Sequence, residues 1–318
     1  MTEFMTAAYI NLCGSGKISN LLAKNKRTNM AKPFIKWAGG KSQLKDEIIS
    51  RIPSDIDVYV EPFVGEGAVF FALAEERNDI EYFISDTNGA LISSYMTVRD
   101  SCEPLIGKLK GLENAYRNYD MDGKKQMFLE IRENFNRIKE TSGLVQVDIC
   151  ADFIFLNKTG FNGLYRENSG GRFNVPFGYS EKPLICDKGN IRECSRLLNE
   201  RKVYIRNSSY DASATGLSCK KRVFFYLDPP YRPVTKTAAF TAYSKDGFND
   251  DAQRQLKSFC DMVDRNRWMF LQSNSFQEDG FFDDLYKDYA IDIVSAKRNI
   301  NSDGKGRGTV KEILVSNF

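Results

Sequence analysis

Two periodicities alternate in the first hundred residues, and that alternation limits the fold more than any other feature. VYVEPFVGEGAVFFALAEE (58–76) runs from an extended apolar segment through a glycine-bearing turn into a helical pattern. IEYFISD (80–86) is a second extended segment, and NGALISSYMTVRD continues as a helix. Strand, helix, strand, helix is the start of an α/β sheet with parallel strands.

Sheet-like text resumes at KVYIRN (202–207), RVFFYLD (222–228) and WMFLQSN (268–274), with helices expected between these three. YAIDIVSA (289–296) and EILVSNF (312–318) follow, joined by a short basic loop that suits an antiparallel hairpin at the sheet edge. Ahead of the first strand, FIKWAGGKSQL (34–44) is a double-glycine loop leading into the helical pattern KSQLKDEIISRI. Residues 103–157 lack strand signals and carry helical spacing. TGFNGLYRENSGGRFNVPFGYS (159–180) is rich in Gly, Asn and Ser, with a hairpin expected around Ser169-Gly170-Gly171. A helix pattern at 190–199 closes the section. The expected organisation is therefore a flexible polar extension over 1–30, an α/β domain over 31–100 and 201–318, and a mainly helical insertion over 101–200.

Composition removes whole classes of chemistry. Histidine is absent, which takes away the usual general base and most zinc sites. The seven cysteines include no CxxC pair, which fits reduced thiols in the cytoplasm better than a disulfide framework or a metal site, and no metal is expected. A hydrophobic fraction of 42% supports a packed core, and a net charge of +3 requires any basic face to be local. No apolar stretch reaches the roughly 18 residues of a membrane span, and no signal peptide is read at the N-terminus. Met30 is a candidate alternative start; an N-terminal mass beginning at Met1 would contradict it. GSGK at 14–17 lacks the upstream glycine and the Ser/Thr of a phosphate loop.

Two turns carry the chemistry. In EPFVGEG (61–67), Gly65 and Gly67 let backbone approach a ligand at a strand's carboxyl end, and Asp86 ends the next strand, where an acid accepts hydrogen bonds from ribose hydroxyls. Together they point to an adenosine-containing cofactor; a tight turn serving packing alone is the alternative. In FFYLDPPYRP (224–233), Asp228 stands at the end of an apolar strand, and Pro229 and Pro230 fix the backbone behind it. An acid beside an oriented carbonyl accepts both hydrogens of a planar amine, and Tyr231 offers a flat face to a base. Such acceptance returns electron density to the nitrogen, whose lone pair attacks a methyl group on a sulfonium without a dedicated base.

AGGK within FIKWAGGK, EPFVGEGAVFF, Asp86, FNGLYREN…GRFNVPFG and LDPPY occur in the order found in the Dam-type (D12 class) DNA adenine-N6 methyltransferases. The resemblance covers about residues 31–318. It implies a Rossmann-like methyltransferase sheet, mostly parallel with an antiparallel edge hairpin, carrying an inserted, mainly helical DNA-recognition domain. It also implies S-adenosyl-L-methionine as cofactor and base flipping in a duplex GATC-like site. Trp37, Lys41, Phe63, Gly65, Gly67, Asp86 and Asp228 match cofactor positions, with Lys41 expected near the cofactor carboxylate. Asp228, Pro229 and Tyr231 match the groups that hold and stack the target adenine. Phe161, Asn162, Leu164, Arg166 and Pro176 match DNA contacts, Phe161 standing where some members have tyrosine; since GATATC relatives keep a similar loop, the full site stays open. Lys305 and Arg307 lie in the basic loop KRNINSDGKGRGTVK (297–311), suited to phosphates. KTAAFTAYSKDGF (236–248) reads as a mobile segment able to close over cofactor and base, with Phe240 and Tyr243 as core residues the alternative. The expected partner is double-stranded DNA, with a cognate restriction endonuclease that need not bind physically, in the cytoplasm at the nucleoid. The rivals are an amine methyltransferase on cytosine N4 or protein glutamine, a nicotinamide oxidoreductase, and a silent DNA-binding module. The first typically shows Asn or Ser where Asp228 stands.

Overall fold

The computed structural model describes residues 30–141, 146–217, 219–220, 222–232, 248–297 and 309–318. Its sheet is built from β1 (Val58–Glu61), β2 (Glu81–Asp86), β3 (Lys202–Asn207), β4 (Val223–Leu227), β5 (Met269–Ser275), β6 (Ala290–Lys297) and β7 (Thr309–Ser316). The spatial order is β3-β2-β1-β4-β5-β7-β6. β1 to β5 are mutually parallel, Val60 lying opposite Phe83 on one side and Phe225 on the other. β7 runs antiparallel between β5 and β6, so the last two strands form the expected edge hairpin. This is the Rossmann-like, mostly parallel sheet that the strand–helix alternation and the resemblance imply.

Side chains alternate between the faces of a strand, and here both faces are covered. Tyr59, Tyr82, Ile84, Phe224 and Tyr226 join one core cluster, while Val58, Val60, Val223, Phe225 and Leu227 join the other. Every residue of β1 and β4 is buried, which is why these strands read as continuous apolar runs. The first face is packed by α2 (Ala68–Glu76), α3 (Gly89–Asp100) and α7 (Lys188–Glu200), the second by α8 (Asp250–Arg265) and α9 (Phe281–Leu285). Side-chain caps start three of these helices: Asn88 accepts from Leu91 N, Asp187 from Asn190 N and Asn249 from Ala252 N. Among the described residues no helix is long and apolar enough to cross a membrane.

Between β2 and β3 the chain builds α4 (Cys102–Asn118), α5 (Met121–Thr141) and α6 (Val147–Thr159) before returning through α7. Leu105, Leu109, Phe128, Phe135, Phe153 and Phe155 are buried in the same cluster as Tyr82, so this helical section shares a continuous core with the sheet. Between α6 and α7 the chain reverses at residues 168–172, where Asn168 N donates to Arg172 O and Glu167 bridges Phe173.

Two expectations on helices are corrected. Among the described residues no α-helix joins β3 to β4; a 3-10 turn at Asp211–Ala214 stands there instead. The segment is dominated by Ser, Ala and Gly, and Tyr210, Ala214 and Leu217 cover the sheet as a loop. The pattern KSQLKDEIISRI becomes α1 over Lys45–Ser50 only, since Leu44 N bonds Lys41 O in a turn ahead of it.

β2 and β3 lie on one side of β1, and β4 and β5 on the other. The strand order therefore reverses between β1 and β4, and a crevice opens at their carboxyl ends, the usual ligand position in such sheets. Truncating Phe225, fully buried in the middle of β4, should cost about 3–5 kcal/mol. Denaturant unfolding of Phe225→Ala measures it, and a loss below about 1 kcal/mol would contradict a sheet packed on both faces.

Candidate active site

The carboxyl ends of β1, β2 and β4 each carry an acid, Glu61, Asp86 and Asp228, and each acid meets a different environment. Asp228 follows Leu227 directly and is mostly buried. Lys41 Nζ approaches both its oxygens, at 2.7 and 2.8 Å, and also donates to Gly39 O at 2.7 Å. Ser273 Oγ on β5 donates to Asp228 Oδ1 at 3.0 Å and lies 3.1 Å from Tyr226 Oη. Burial pushes the Asp228 carboxyl up, while Lys41 and Ser273 pull it back. An ionised carboxylate offers about four lone-pair sites, so these donors leave room for one more.

The residues behind Asp228 are held firmly. Pro230 O is approached by Gln253 Nε2 at 3.5 Å, and Gln253 is itself tied to Asn274. Among the described residues no donor meets Pro229 O. Tyr231 lies with Lys41 Nζ 4.8 Å from its ring centre, and its hydroxyl donates to Glu312 on β7. Arg232 anchors the departing chain to Asp250 at 2.6 Å and to Asp279.

Gly65 and Gly67 follow β1, both with positive φ, 49° and 72°. A Cβ at Gly65 would stand 2.8 Å from Trp37 Cδ1, and one at Gly67 would collide with the Tyr95 hydroxyl. That hydroxyl donates to Gly65 O at 3.1 Å. Asp86 accepts from Gly65 N at 3.2 Å and from Asn88 N at 2.9 Å. Burial raises its carboxyl to about 6 despite these bonds. Phe63 stacks on Tyr210 at 5.4 Å beside the turn. Trp37, Lys41, Phe63, Gly65, Gly67, Asp86 and Asp228 thus sit around the loops at one end of the sheet.

The loop after α6 presents a second group. Phe161 is 47% exposed and Asn162, Arg166 and Pro176 are exposed, while Leu164 is half-buried. Phe161 N donates to Pro176 O at 2.9 Å, which brings these two together, and Arg166 Nε donates to Asn174 Oδ1 at 2.8 Å. The hairpin beyond rests on α5: Lys139 bonds Glu167 and Gly171 O, and Asn136 bonds the backbone of Phe173 in both directions. Lys305 and Arg307, with the 236–247 segment containing Phe240 and Tyr243, lie outside the described residues.

Sequence reasoning missed Glu61, Ser273 and Glu312. Glu61 is buried, accepts from Tyr59 Oη at 2.8 Å and is pushed up to about 8, chiefly by burial and with Asp228 adding to it. The signal was present, since VYVE ends on an acid just as YFISD and FFYLD do. Ser273 and Glu312 gave no local signal; only strand pairing brings them to Asp228 and Tyr231.

The model of the D12 class N6 adenine-specific DNA methyltransferases matches residues 37–300. Over 90% of this chain and 99% of the relative, the sequence is 38% identical to type II methyltransferase M.MjaIII of Methanocaldococcus jannaschii. Over 94% of this chain and 99% of the relative it is 34% identical to type II methyltransferase M1.LlaDCHI of Lactococcus lactis subsp. cremoris. A DNA adenine methylase of Vibrio cholerae serotype O1 is 32% identical over 89% of this chain and 94% of its own.

The glycine turn can be tested without any ligand. Gly67→Ala forces a left-handed residue to carry a Cβ against Tyr95, at roughly 1–2 kcal/mol for the backbone alone. A thermal or denaturant midpoint indistinguishable from wild type would show the turn to be more tolerant than this geometry allows.

Proposed function

Because the chain belongs to the D12 class of N6 adenine-specific DNA methyltransferases, we propose that it methylates N6 of an adenine flipped out of a duplex GATC-like site, with Asp228, Pro229 and Tyr231 at the reacting amine. The observation that carries this reading is the placement of Asp228. It ends β4 where the strand order reverses, beside a carbonyl that no described residue uses and across from the glycine turn.

The cofactor of this reading is S-adenosyl-L-methionine, and the residues present fit it. Gly65 and Gly67 form a left-handed turn at the carboxyl end of β1 that closes on Trp37 and Tyr95, and Asp86 stands at the end of β2 with lone pairs to spare for ribose hydroxyls. Trp37, Lys41 and Phe63 line the same loops. When bound, the cofactor supplies a methyl group on an electron-poor sulfonium.

The chain's own residues prepare the other reactant. Asp228 accepts one hydrogen of the exocyclic amine and Pro229 O the other, which concentrates electron density on nitrogen. Lys41 and Ser273 favour the ionised carboxylate against the effect of burial and hold it in place. Tyr231 presents its ring to the base, steadied by the Glu312 hydrogen bond. The proton leaves after attack, and Asp228, raised by burial, is placed to take it. A base reaches this crevice only after extrusion from the duplex, at a cost of a few kcal/mol in lost stacking and pairing.

In this reading the 101–200 section carries target recognition. Arg166 reads a guanine edge, worth about 1–3 kcal/mol of discrimination. Phe161, Asn162, Leu164 and Pro176 contact neighbouring base steps, and Lys305 and Arg307 contact phosphates. The substrate is double-stranded DNA in the cytoplasm, at the nucleoid. Two of the relatives are type II methyltransferases by name, which supports a place beside a cognate restriction endonuclease that need not bind this chain.

Expression in a methylation-free host, followed by long-read mapping, should reveal N6-methyladenine at one GAT-containing site. N4-methylcytosine, or no mark on DNA, would overturn the reading. Asp228→Ala should lower the methylation rate by at least about 10²–10³, the scale of losing one preorganised transition-state group, in a chain that still folds. Near-normal turnover would remove Asp228 from the chemistry.

Asp86 sets a pH dependence. Its raised carboxyl favours the neutral form in the folded protein, so its contribution to stability falls as pH rises from the ordinary carboxylate value to about 6. Ribose hydroxyls need the ionised form, so the Kd for S-adenosyl-L-methionine should be flat above about 6 and rise about tenfold per pH unit below it. Titration calorimetry from pH 5 to 8 reads this. Asp86→Asn should flatten the profile, and a wild-type Kd that does not change would exclude Asp86 as the ribose acceptor.

A further inference from the structure

We propose that Asn157 is a positioning residue for target recognition: it locks the 160–164 loop to the segment entering the cofactor-facing turn, and so sets discrimination between cognate and near-cognate duplexes. This rests on the methyltransferase reading above.

Asn157 lies near the end of α6, 3% exposed, among apolar neighbours. A buried amide there must find partners for its donors and acceptor. Oδ1 accepts from Lys36 N at 2.9 Å, and Nδ2 donates to Lys36 O at 2.8 Å and to Gly163 O at 2.9 Å. One side chain therefore grips both backbone groups of a residue 121 positions away and the backbone of the exposed loop.

The loop's backbone hydrogen bonds run within the loop, Gly163 N to Gly160 O, Leu164 N to Phe161 O and Phe161 N to Pro176 O, or back to the end of α6, Gly160 N to Leu156 O and Gly178 N to Thr159 O. They shape the loop but do not fix it to the sheet side of the crevice. Asn157 does that, and two packing contacts run beside it. Gly163, at φ 65°, leaves room for the Lys36 stem, where a Cβ would stand 2.5 Å from Lys36 Cδ. Trp37 stacks on Tyr165 at 5.6 Å and 20°, and its Cδ1 edge also lies against Gly65 of the glycine turn. The distance from Phe161 and Asn162 to the crevice is thus set by Asn157, Gly163 and Trp37.

The test compares Asn157→Leu, which keeps bulk but removes all three hydrogen bonds, with Gly163→Ala, which pushes the same loop away from Lys36. Each is assayed for kcat/KM on the mapped site and on a duplex changed at one base pair, with the Kd of S-adenosylhomocysteine measured in parallel. The ratio of the two kcat/KM values should fall by roughly tenfold, the scale of one lost base contact, with the Kd within about threefold of wild type. If Asn157→Leu does not fold, Gly163→Ala decides alone. An unchanged ratio in a folded variant, with both duplexes slowed equally, would leave Asn157 merely structural and overturn the proposal. Wild-type protein that leaves no mark on adenine would instead indict the methyltransferase reading.

Discussion

The pairing of Lys41 with Asp228 joins residues 187 positions apart and draws three chain segments to one point. Asp228 comes from the end of β4, Ser273 from β5, and Lys41 from the loop before β1, where its ammonium also holds Gly39 O. A carboxylate so far from water is tolerable only when paired and hydrogen-bonded. Lys41 is 5% exposed and has the same requirement. Each charge is the condition for burying the other, so the double-glycine loop cannot leave the crevice without stranding both. The double-glycine loop and the acid at the end of β4 are in this way parts of one arrangement.

Three acids at three strand ends acquire three characters from their surroundings. Glu61, sealed under the sheet and bonded to Tyr59, is pushed to about 8 and is neutral at pH 7. Asp86 titrates near 6, with backbone N–H groups holding its charged form. Asp228 is raised by burial but countered by a cation and a hydroxyl. A neutral acid behind Asp228 matters, because a second negative charge there would oppose ionisation of the first. Divergent environments for neighbouring carboxyl groups are how one site supports separate tasks without histidine.

Much of the architecture was legible because its causes are local. Strands buried on both faces read as apolar runs, and β1, β2 and β4 end where those runs meet an acid. Asn168, Gly170 and Gly171 announce their turn by type. The β3–β4 connection was misread because a covering element was inferred from fold pattern, while its own Ser-rich text supports no apolar helical face. The ion pair of Lys41 with Asp228 was not legible, since no local pattern encodes a contact across 187 positions. Ser273 and Asn157 escaped for the same reason, since their importance arises only when distant segments are brought together.

The central claim is that an ionised Asp228, kept so by Lys41, accepts the target amine. The pH profile of kcat/KM for DNA, at saturating S-adenosyl-L-methionine, tests it most directly in wild type and Lys41→Met. Without Lys41, burial acts on Asp228 with less opposition, so the acid limb should move to higher pH, whatever the loss in overall rate. An acid limb at the same pH in both proteins would contradict the account.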